Sequence, residues 1–157
     1  MPQRPCNLLL VDDAENDQLL FRIACRGASP HSLRLLTPRS SGAGAIRYLS
    51  GEGQFADRSR FPYPNMVLLD LKMPYTSGFD VLEWLAPQPR KPIVYVLSDS
   101  TNKVDRDRAM KLGAADYFVK PVGMPELTEL VEYLDSTWKR TRPPDRSQSL
   151  TSRRSSR

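Results

Sequence analysis

The sequence has few of the side chains that support zinc binding, disulfide bonding or histidine-based catalysis. Its 157 residues include two cysteines and one histidine. Cys6 and Cys25 form neither a metal-ligand spacing nor a disulfide framework, and His31 has no catalytic partner near it in the sequence. These absences leave carboxylates as the main candidates for any chemistry that the protein performs.

Long hydrophobic runs are also absent. No apolar stretch approaches the roughly 20 residues that cross a bilayer. The N-terminal stretch MPQRPCNLLLVDD has four apolar residues and then two acids, unlike a signal peptide. We therefore expect a cytoplasmic protein without a membrane span. A content of 39% hydrophobic and 26% charged residues suits one globular domain with its own core.

The positive charge is concentrated at the C-terminal end. Residues 138–157 contain seven Lys or Arg and one acid, a net charge of +6, whereas residues 1–137 carry −1 and the whole chain +5. The segment 140–157 has a single aliphatic residue and cannot bury enough surface to offset its ordering entropy. We predict a folded domain over residues 1–138 and a basic, Ser/Arg-rich disordered tail over residues 139–157.

Five short apolar runs alternate with five amphipathic segments. The runs predict strands at Leu8–Val11, Leu33–Leu36, Met66–Leu69, Ile93–Leu97 and Tyr117–Val119. The segments predict helices at Ala14–Arg26, Gly42–Ser50, Gly78–Ala86, Asn102–Leu112 and Glu126–Trp138. The first, third and fourth runs are continuous, which is typical of strands covered on both faces. The alternation therefore predicts an α/β fold with a parallel sheet between two layers of helices.

Four of the five predicted strands end on a charged or hydroxyl-bearing residue. These residues are Asp12 and Asp13, Asp70, Ser98 and Lys120. Ligands of open parallel sheets bind beyond the carboxyl ends of the strands, so we expect these side chains to share one site. Each aspartate alone is ordinarily a helix N-cap, and Ser98 alone is ordinarily a turn residue. Their combination at four strand ends favours a functional site.

Three neighbouring carboxylates stay ionised only if positive charge lies among them. Lys120 supplies one charge, and a divalent cation would supply two more. Oxygen ligands without histidine or cysteine favour Mg²⁺ or Mn²⁺. Such a cation also prepares a carboxylate to attack phosphorus, because it screens the incoming phosphate. The residues therefore predict a Mg²⁺ site where an aspartate carries phosphate.

Four stretches, in this order, resemble the signature blocks of bacterial response-regulator receiver domains: LLLVDDAENDQ, LLDLKMPYTSG, VYVLSDS and GAADYFVKP. The resemblance covers about residues 6–138. It implies a CheY-like, flavodoxin-like (βα)5 fold, a doubly wound five-stranded parallel sheet of order 2-1-3-4-5. It also implies a single-domain response regulator, phosphorylated by a sensor histidine kinase with Mg²⁺. No conventional enzyme activity and no DNA-binding module after Trp138 are expected.

The resemblance implies roles for the acidic residues. Asp70 matches the phosphoacceptor. Asp13 matches a direct Mg²⁺ ligand, and Asp12 matches an acidic residue that acts largely through water. The backbone carbonyl of Lys72 would complete the protein's share of the metal sphere.

The resemblance also implies a switch. Ser98 matches the hydroxyl that hydrogen-bonds the phosphoryl group, and Lys120 matches the lysine that pairs with it. Tyr117 matches the aromatic residue that moves inward when the switch residue moves. The peptide bond between Lys120 and Pro121 is expected to be cis, as in the family.

A long connection before the third predicted strand indicates which group of receiver domains the chain resembles. Gly51–Asn65 is about fifteen residues long, which is typical of a functional or mobile loop. Its GEG-x-F element resembles that of the stand-alone receivers that partner bacteriophytochromes. Members of that group often form homodimers, so we expect one through the face of Asn102–Leu112, Tyr117–Val119 and Glu126–Trp138.

One residue departs from the family pattern. Asp99 follows Ser98 where receivers usually carry a small residue, and its carboxylate would repel a phosphoryl group unless it points to solvent. Lys72 borders the same group. Our hypothesis is that Lys72 partly offsets Asp99 and that the two residues tune the lifetime of the phosphorylated state.

Three other functions fit parts of the sequence. A Mg²⁺-dependent aspartyl-phosphate hydrolase also clusters carboxylates, but it would need a D-x-D pair where this chain has adjacent Asp12 and Asp13. A pseudo-receiver that binds partners without phosphorylation is compatible with Asp99. Nucleic-acid binding fits the basic tail, although the tail has no aromatic residue on which bases stack.

Overall fold

A computed structural model describes residues 4–29, 31–121 and 123–141. The strands are β1 (Cys6–Val11), β2 (Leu33–Leu35), β3 (Met66–Leu69), β4 (Ile93–Ser98) and β5 (Asp116–Val119). The α-helices are α1 (Glu15–Ala28), α2 (Gly42–Ser50), α3 (Gly78–Leu85), α4 (Lys103–Lys111) and α5 (Met124–Thr141). Every predicted strand and helix is therefore confirmed, with ends that differ by a few residues.

The five strands form one parallel sheet of order β2-β1-β3-β4-β5. This order confirms the predicted flavodoxin-like topology. Leu8 pairs with Met66 at the start of the β1–β3 ladder, and Val11 pairs with Leu69 at its end. Because all strands run the same way, their carboxyl ends meet at one edge of the sheet.

Each face of the sheet has its own hydrophobic core. Alternate strand residues such as Leu9 and Val67 pack with α2, α3 and α4, whereas their neighbours Leu8 and Leu68 pack with α1 and α5. Burial on both faces explains why β1, β3 and β4 are continuous apolar runs in the sequence. The packed sheet thus fixes the positions of the residues at its carboxyl edge.

The long connection between α2 and β3 is tied to α2. It contains a short 3-10 helix, Gly53–Ala56, whose Phe55 is buried with ring centroids 5.1 Å from both Tyr48 and Phe61. The guanidinium of Arg58 donates hydrogen bonds to the carbonyls of Tyr48 at 2.9 Å and Leu49 at 3.0 Å. These carbonyls belong to the last turn of α2, where helical acceptors lack intrahelical partners. The connection therefore extends the core through Phe55 and supplies hydrogen-bond donors to the last carbonyls of α2.

The last helix runs past the predicted domain boundary. Residues 139–141, the first three of the predicted tail, belong to α5. Lys139 pairs with Asp135 at 3.0 Å, one helical turn earlier. The rest of the predicted tail lies outside the described residues. Within the described ranges, every helix is too short or too polar to cross a membrane.

Candidate functional site

Three carboxylates converge at the carboxyl edge of the sheet. Asp12 and Asp13 follow β1, and Asp70 follows β3, the neighbouring strand whose Leu69 is paired with Val11. Carboxylate oxygens of the three residues all lie within 4.8 Å of one another. Asp12 and Asp70 are buried, whereas Asp13 is exposed. This all-oxygen donor set, open on one side, fits a hard divalent cation such as Mg²⁺ or Mn²⁺.

The chain around Asp70 is held close to its neighbours. The Asp70 N–H donates to the carbonyl of Val11 at 2.9 Å, and the Lys72 N–H donates to Asp70 Oδ1 at 3.2 Å. Gly78 begins α3 directly against this loop. A Cβ at position 78 would collide with the Asp70 carbonyl and would lie 2.8 Å from Leu71 Cα. Glycine therefore lets the start of α3 approach the backbone of Asp70.

Lys120, which follows β5, extends into the acidic cluster. Its Nζ lies 3.2 Å from Asp12 Oδ2 and 3.3 Å from Asp70 Oδ2. The same Nζ lies 3.0 Å from Oδ2 of Asp17, a residue in the first turn of α1. The structure thus brings together the predicted aspartates and lysine.

Sequence reasoning missed Asp17. Asp17 lies in the first turn of a helix that follows Asp12 and Asp13. Because that turn lies at the same sheet edge as the site, its position could have indicated that Asp17 belongs to the site. An acidic residue there is ordinarily explained by the helix dipole, so its contact with Lys120, 103 positions away, was not predicted.

Burial and mutual repulsion perturb the ionisation of the cluster. Burial raises the pKa of Asp70 to about 6, an effect that the positive charge of Lys120 opposes and the negative charge of Asp12 reinforces. Burial also raises the pKa of Asp12. Burial lowers the pKa of Lys120, but the hydrogen bond to Asp17 and the charges of Asp12 and Asp70 outweigh it, so the net shift is upward. One ammonium therefore does not neutralise the site, which favours binding of a further cation.

Ser98 and Tyr117 meet at the loop that follows β4. Ser98 is fully buried, and its Oγ accepts a hydrogen bond from the Ser100 N–H at 3.2 Å. Tyr117 is also buried, and its hydroxyl donates to the Ser100 carbonyl at 2.7 Å. Tyr117 is thus already in an inward position in this structure.

Ser100 is a further residue that the sequence did not indicate. Its hydroxyl donates to Asp105 Oδ2 in α4 at 2.7 Å and accepts from the Asn102 N–H at 3.2 Å. Ser100 therefore connects the loop that carries Ser98 to the first turn of α4. A small polar residue in a loop gives no sequence signal for such a link.

One expectation about this edge is wrong. The described residues include no cis peptide bond, so the bond between Lys120 and Pro121 is trans. Trans is the lower-energy isomer of an X–Pro bond.

Lys72 and Asp99 are both exposed, and no salt bridge within the described ranges joins them. Any mutual effect of these two side chains would act without a direct ion pair.

Comparison with known proteins identifies the family. Residues 32–132 match the response regulator receiver domain family. The chain is 30% identical over 141 residues to the response regulator Rcp1 of Synechocystis, covering 87% of this chain and 91% of that protein. The structure of the Mn²⁺-bound form of Rcp1 matches with a TM-score of 0.70 and 28% identity, covering 85% of this chain and 94% of that chain.

Two further structures are similar over most of both chains. One is the phosphorylated cyanobacterial phytochrome response regulator RcpA, with a TM-score of 0.78 and 26% identity over 89% of this chain and 98% of that chain. The other is RPA3017, a response regulator in red light signalling of R. palustris. It matches with a TM-score of 0.78 and 31% identity, covering 89% of this chain and 97% of that chain. With its five-stranded sheet and its cluster of aspartates and lysine, this chain belongs to the response regulator receiver domain family of two-component signalling.

Proposed function

We propose that this protein is a single-domain response regulator that accepts a phosphoryl group on Asp70 from a sensor histidine kinase in a Mg²⁺-dependent reaction. The proposal rests chiefly on one observation. Asp12, Asp13 and Asp70 place carboxylate oxygens within 4.8 Å of one another, and Lys120 lies 3.3 Å from Asp70. A buried carboxylate beside a cation site and an ammonium is suited to attack a phosphoryl group.

Asp12, Asp13 and Asp70 would hold the Mg²⁺ together with the backbone carbonyl of Lys72. The bound cation would screen the repulsion between carboxylate and phosphate and stabilise the charge that develops on the phosphoryl oxygens. We assign a direct contact to Asp13, which is exposed, and a largely water-mediated one to Asp12. The open side at Asp13 leaves room for the phosphodonor.

In the reaction, a carboxylate oxygen of Asp70 forms a bond to phosphorus. The N–P bond of the phosphohistidine breaks, and its electron pair stays on the imidazole nitrogen of the kinase. Lys120 and Ser98 then hold the new phosphoryl oxygens. Attack by water on the phosphorus of the acyl phosphate breaks its bond to the Asp70 oxygen, releases inorganic phosphate and returns Asp70 to its free carboxylate. We propose no conventional enzyme activity beyond this self-phosphorylation and autodephosphorylation.

The output would be a change of interaction surface. When Ser98 moves toward the phosphoryl group, the loop shared with Tyr117 and Ser100 moves, and the contact between Ser100 and Asp105 passes this change to α4. Among the described residues of the adjoining α4, β5 and α5, the exposed large hydrophobic side chains are Val104, Met110, Val119 and Tyr133. We propose that this face forms the homodimer.

The relatives suggest where the protein acts. Rcp1 and RcpA match nearly the whole chain, and RcpA is a phytochrome response regulator. We therefore propose a cytoplasmic bacterial regulator whose kinase is a bacteriophytochrome. We also propose that residues 1–138 are the receiver domain and that residues 139–157 are a basic tail, with α5 extending into it.

Beryllofluoride, which mimics a phosphoryl group on aspartate, tests this function. The protein is expected to bind it only when Mg²⁺ is present, with a change in the NMR signals of Ser98, Ser100 and Tyr117. Asp70→Asn should abolish the binding, and Asp99→Asn, which removes an exposed carboxylate of the same edge, should retain it. Failure of the unaltered protein to bind would instead support a phosphorylation-independent interaction module.

A further inference from the structure

Asp17 is an acidic residue at the site to which the proposed function gives no role. Its Oδ2 lies 3.0 Å from Lys120 Nζ, closer than Asp12 at 3.2 Å or Asp70 at 3.3 Å. Its side chain is 43% exposed, whereas those of Asp12 and Asp70 are 3% and 6% exposed. The ammonium of Lys120 is therefore divided between a buried pair of carboxylates and a third one near the surface.

Lys120 has room on the side of Asp17. A small cavity of about 50 Å³ is lined by Asp12, Asp17 and Lys120, with Leu10 and Phe21 among its apolar walls. Asp70 is not among the residues that line it. Lys120 thus borders two places, the cavity beside α1 and the phosphoacceptor on β3.

The start of α1 is held in place, so Asp17 has a defined position. The Ala14 N–H donates to Asp12 Oδ1 at 2.9 Å. The side-chain amide of Gln18 donates to the Asp12 carbonyl at 2.6 Å and to Ser40 Oγ at 3.1 Å. Of the two partners, Lys120 has the longer side chain.

We propose that Asp17 is a positioning residue that shares Lys120 with Asp12 and Asp70 in the unphosphorylated protein and competes for the lysine with a phosphoryl group on Asp70. This inference rests on the proposed function of Asp70. A phosphoryl group on Asp70 presents several anionic oxygens, which compete for Lys120 better than the single half-exposed carboxylate of Asp17. Phosphorylation then transfers Lys120 from Asp17 to the phosphoryl oxygens, and the Asp17–Lys120 pair opposes that transfer.

The ordinary explanation of Asp17 is that an acid in the first turn of a helix favours the helix dipole. Glu15 gives the matched control. It lies in the same turn of α1, is exposed, and forms no salt bridge within the described ranges. Asp17→Asn and Glu15→Gln each remove one negative charge from this turn, but only the first removes a partner of Lys120.

The first experiment observes Lys120 directly in the full-length protein, without Mg²⁺ or phosphodonor. ¹⁵N-edited NMR records the lysine ammonium groups, and Lys120→Arg assigns the signal of Lys120. Asp17→Asn should shift that signal, and Glu15→Gln should leave it unchanged. An unchanged Lys120 signal in Asp17→Asn would overturn the proposal, whatever the outcome of phosphorylation experiments.

The second experiment measures beryllofluoride affinity at saturating Mg²⁺. Asp17→Asn should bind about two- to fivefold more tightly, the size expected for loss of one partly exposed ion pair. Glu15→Gln should match the unaltered protein, and Asp17→Glu, which restores the charge, should return the affinity to within about twofold. Equal or weaker binding by Asp17→Asn would overturn the proposal. If no form of the protein bound beryllofluoride, the proposed function would fail, and the Lys120 signal would still decide whether Asp17 holds Lys120.

Discussion

The Nζ atom of Lys120 lies 3.3 Å from Oδ2 of Asp70, although the two residues are 50 positions apart in the sequence. Each residue follows a different strand of the same parallel sheet, and β4 lies between those strands. The ends of β3 and β5 therefore fix the positions from which a carboxylate and an ammonium approach each other. The same arrangement brings Asp12 within 3.2 Å of Lys120.

Asp70 makes the stability of the protein depend on pH. Burial raises its pKa from 3.8 to about 6, so the folded state favours the protonated carboxyl. That stabilisation is complete below about pH 4 and is lost as the pH rises through about 6. Without Mg²⁺, Asp70→Asn should therefore raise the free energy of unfolding at pH 7.5 by roughly 1–3 kcal/mol, and by much less at pH 4.

Urea unfolding at both pH values in the presence of a chelator measures this difference. Asp99→Asn is the control, because Asp99 is exposed at the neighbouring strand end. A gain for Asp70→Asn that is equal at the two pH values would contradict the assigned pKa shift.

Gly78 is required by the close packing of α3 on the phosphoacceptor loop. Gly78→Ala should lower the free energy of unfolding by about 1–3 kcal/mol, since its Cβ would meet the backbone of Asp70 and Leu71. Gly27→Ala is the matched control. Apart from its chain neighbours and the nearby backbone of α1, no heavy atom of the described residues lies within 4 Å of a Cβ at that position. Alanine there should be neutral or stabilise by up to about 1 kcal/mol. Similar effects of the two substitutions on urea unfolding would count against the packing role of Gly78.

Arg58 joins the long connection to the end of α2. Arg58→Ala removes hydrogen bonds to the carbonyls of Tyr48 and Leu49 and a guanidinium that lies 5.6 Å from the Tyr48 ring. We expect a loss of about 1–3 kcal/mol in thermal or urea unfolding. Arg60→Ala, at an exposed position two residues later, should cost less than about 1 kcal/mol. An equal loss of unfolding free energy in Arg58→Ala and Arg60→Ala would show that the hydrogen bonds to the α2 carbonyls do not stabilise the protein.

Lys72 and Asp99 remain the predicted determinants of phosphoryl lifetime. Both side chains are exposed, so they would act on the phosphoryl group through long-range charge. Lys72→Ala should change the dephosphorylation rate in the opposite direction to Asp99→Ala, by about two- to fivefold each. The measurement is the decay of phosphorylated protein after removal of the phosphodonor. Unchanged rates in both variants would refute the hypothesis.

Much of the fold follows from local patterns. The strand Met66–Leu69 has the predicted ends because its buried apolar residues stop at a charge. The predicted start of α5 was two residues late because Met124 and Pro125 precede the apolar periodicity that begins at Leu127. Helix ends depend on backbone hydrogen bonds, which periodicity does not report.

The site residues that follow strands could be predicted from the sequence, because the carboxyl ends of parallel strands share one edge. The contacts that residues of helices and loops make could not be predicted in this way. Asp17 meets Lys120 only after α1 packs against α5, and Arg58 meets the end of α2 only after the connection turns. The isomer of the Lys120–Pro121 bond was taken from the family, and the structure has the other isomer.

Phosphorylation of the intact protein by acetyl phosphate tests the central claim most directly. Mass spectrometry should detect one phosphoryl group, mapped to Asp70, in the presence of Mg²⁺ and none when a chelator is added. Asp70→Asn should show no labelling, whereas Asp99→Asn should be labelled like the unaltered protein. Persistent labelling of Asp70→Asn, or no labelling of the unaltered protein with Mg²⁺ present, would contradict the assignment of Asp70 as the phosphoacceptor.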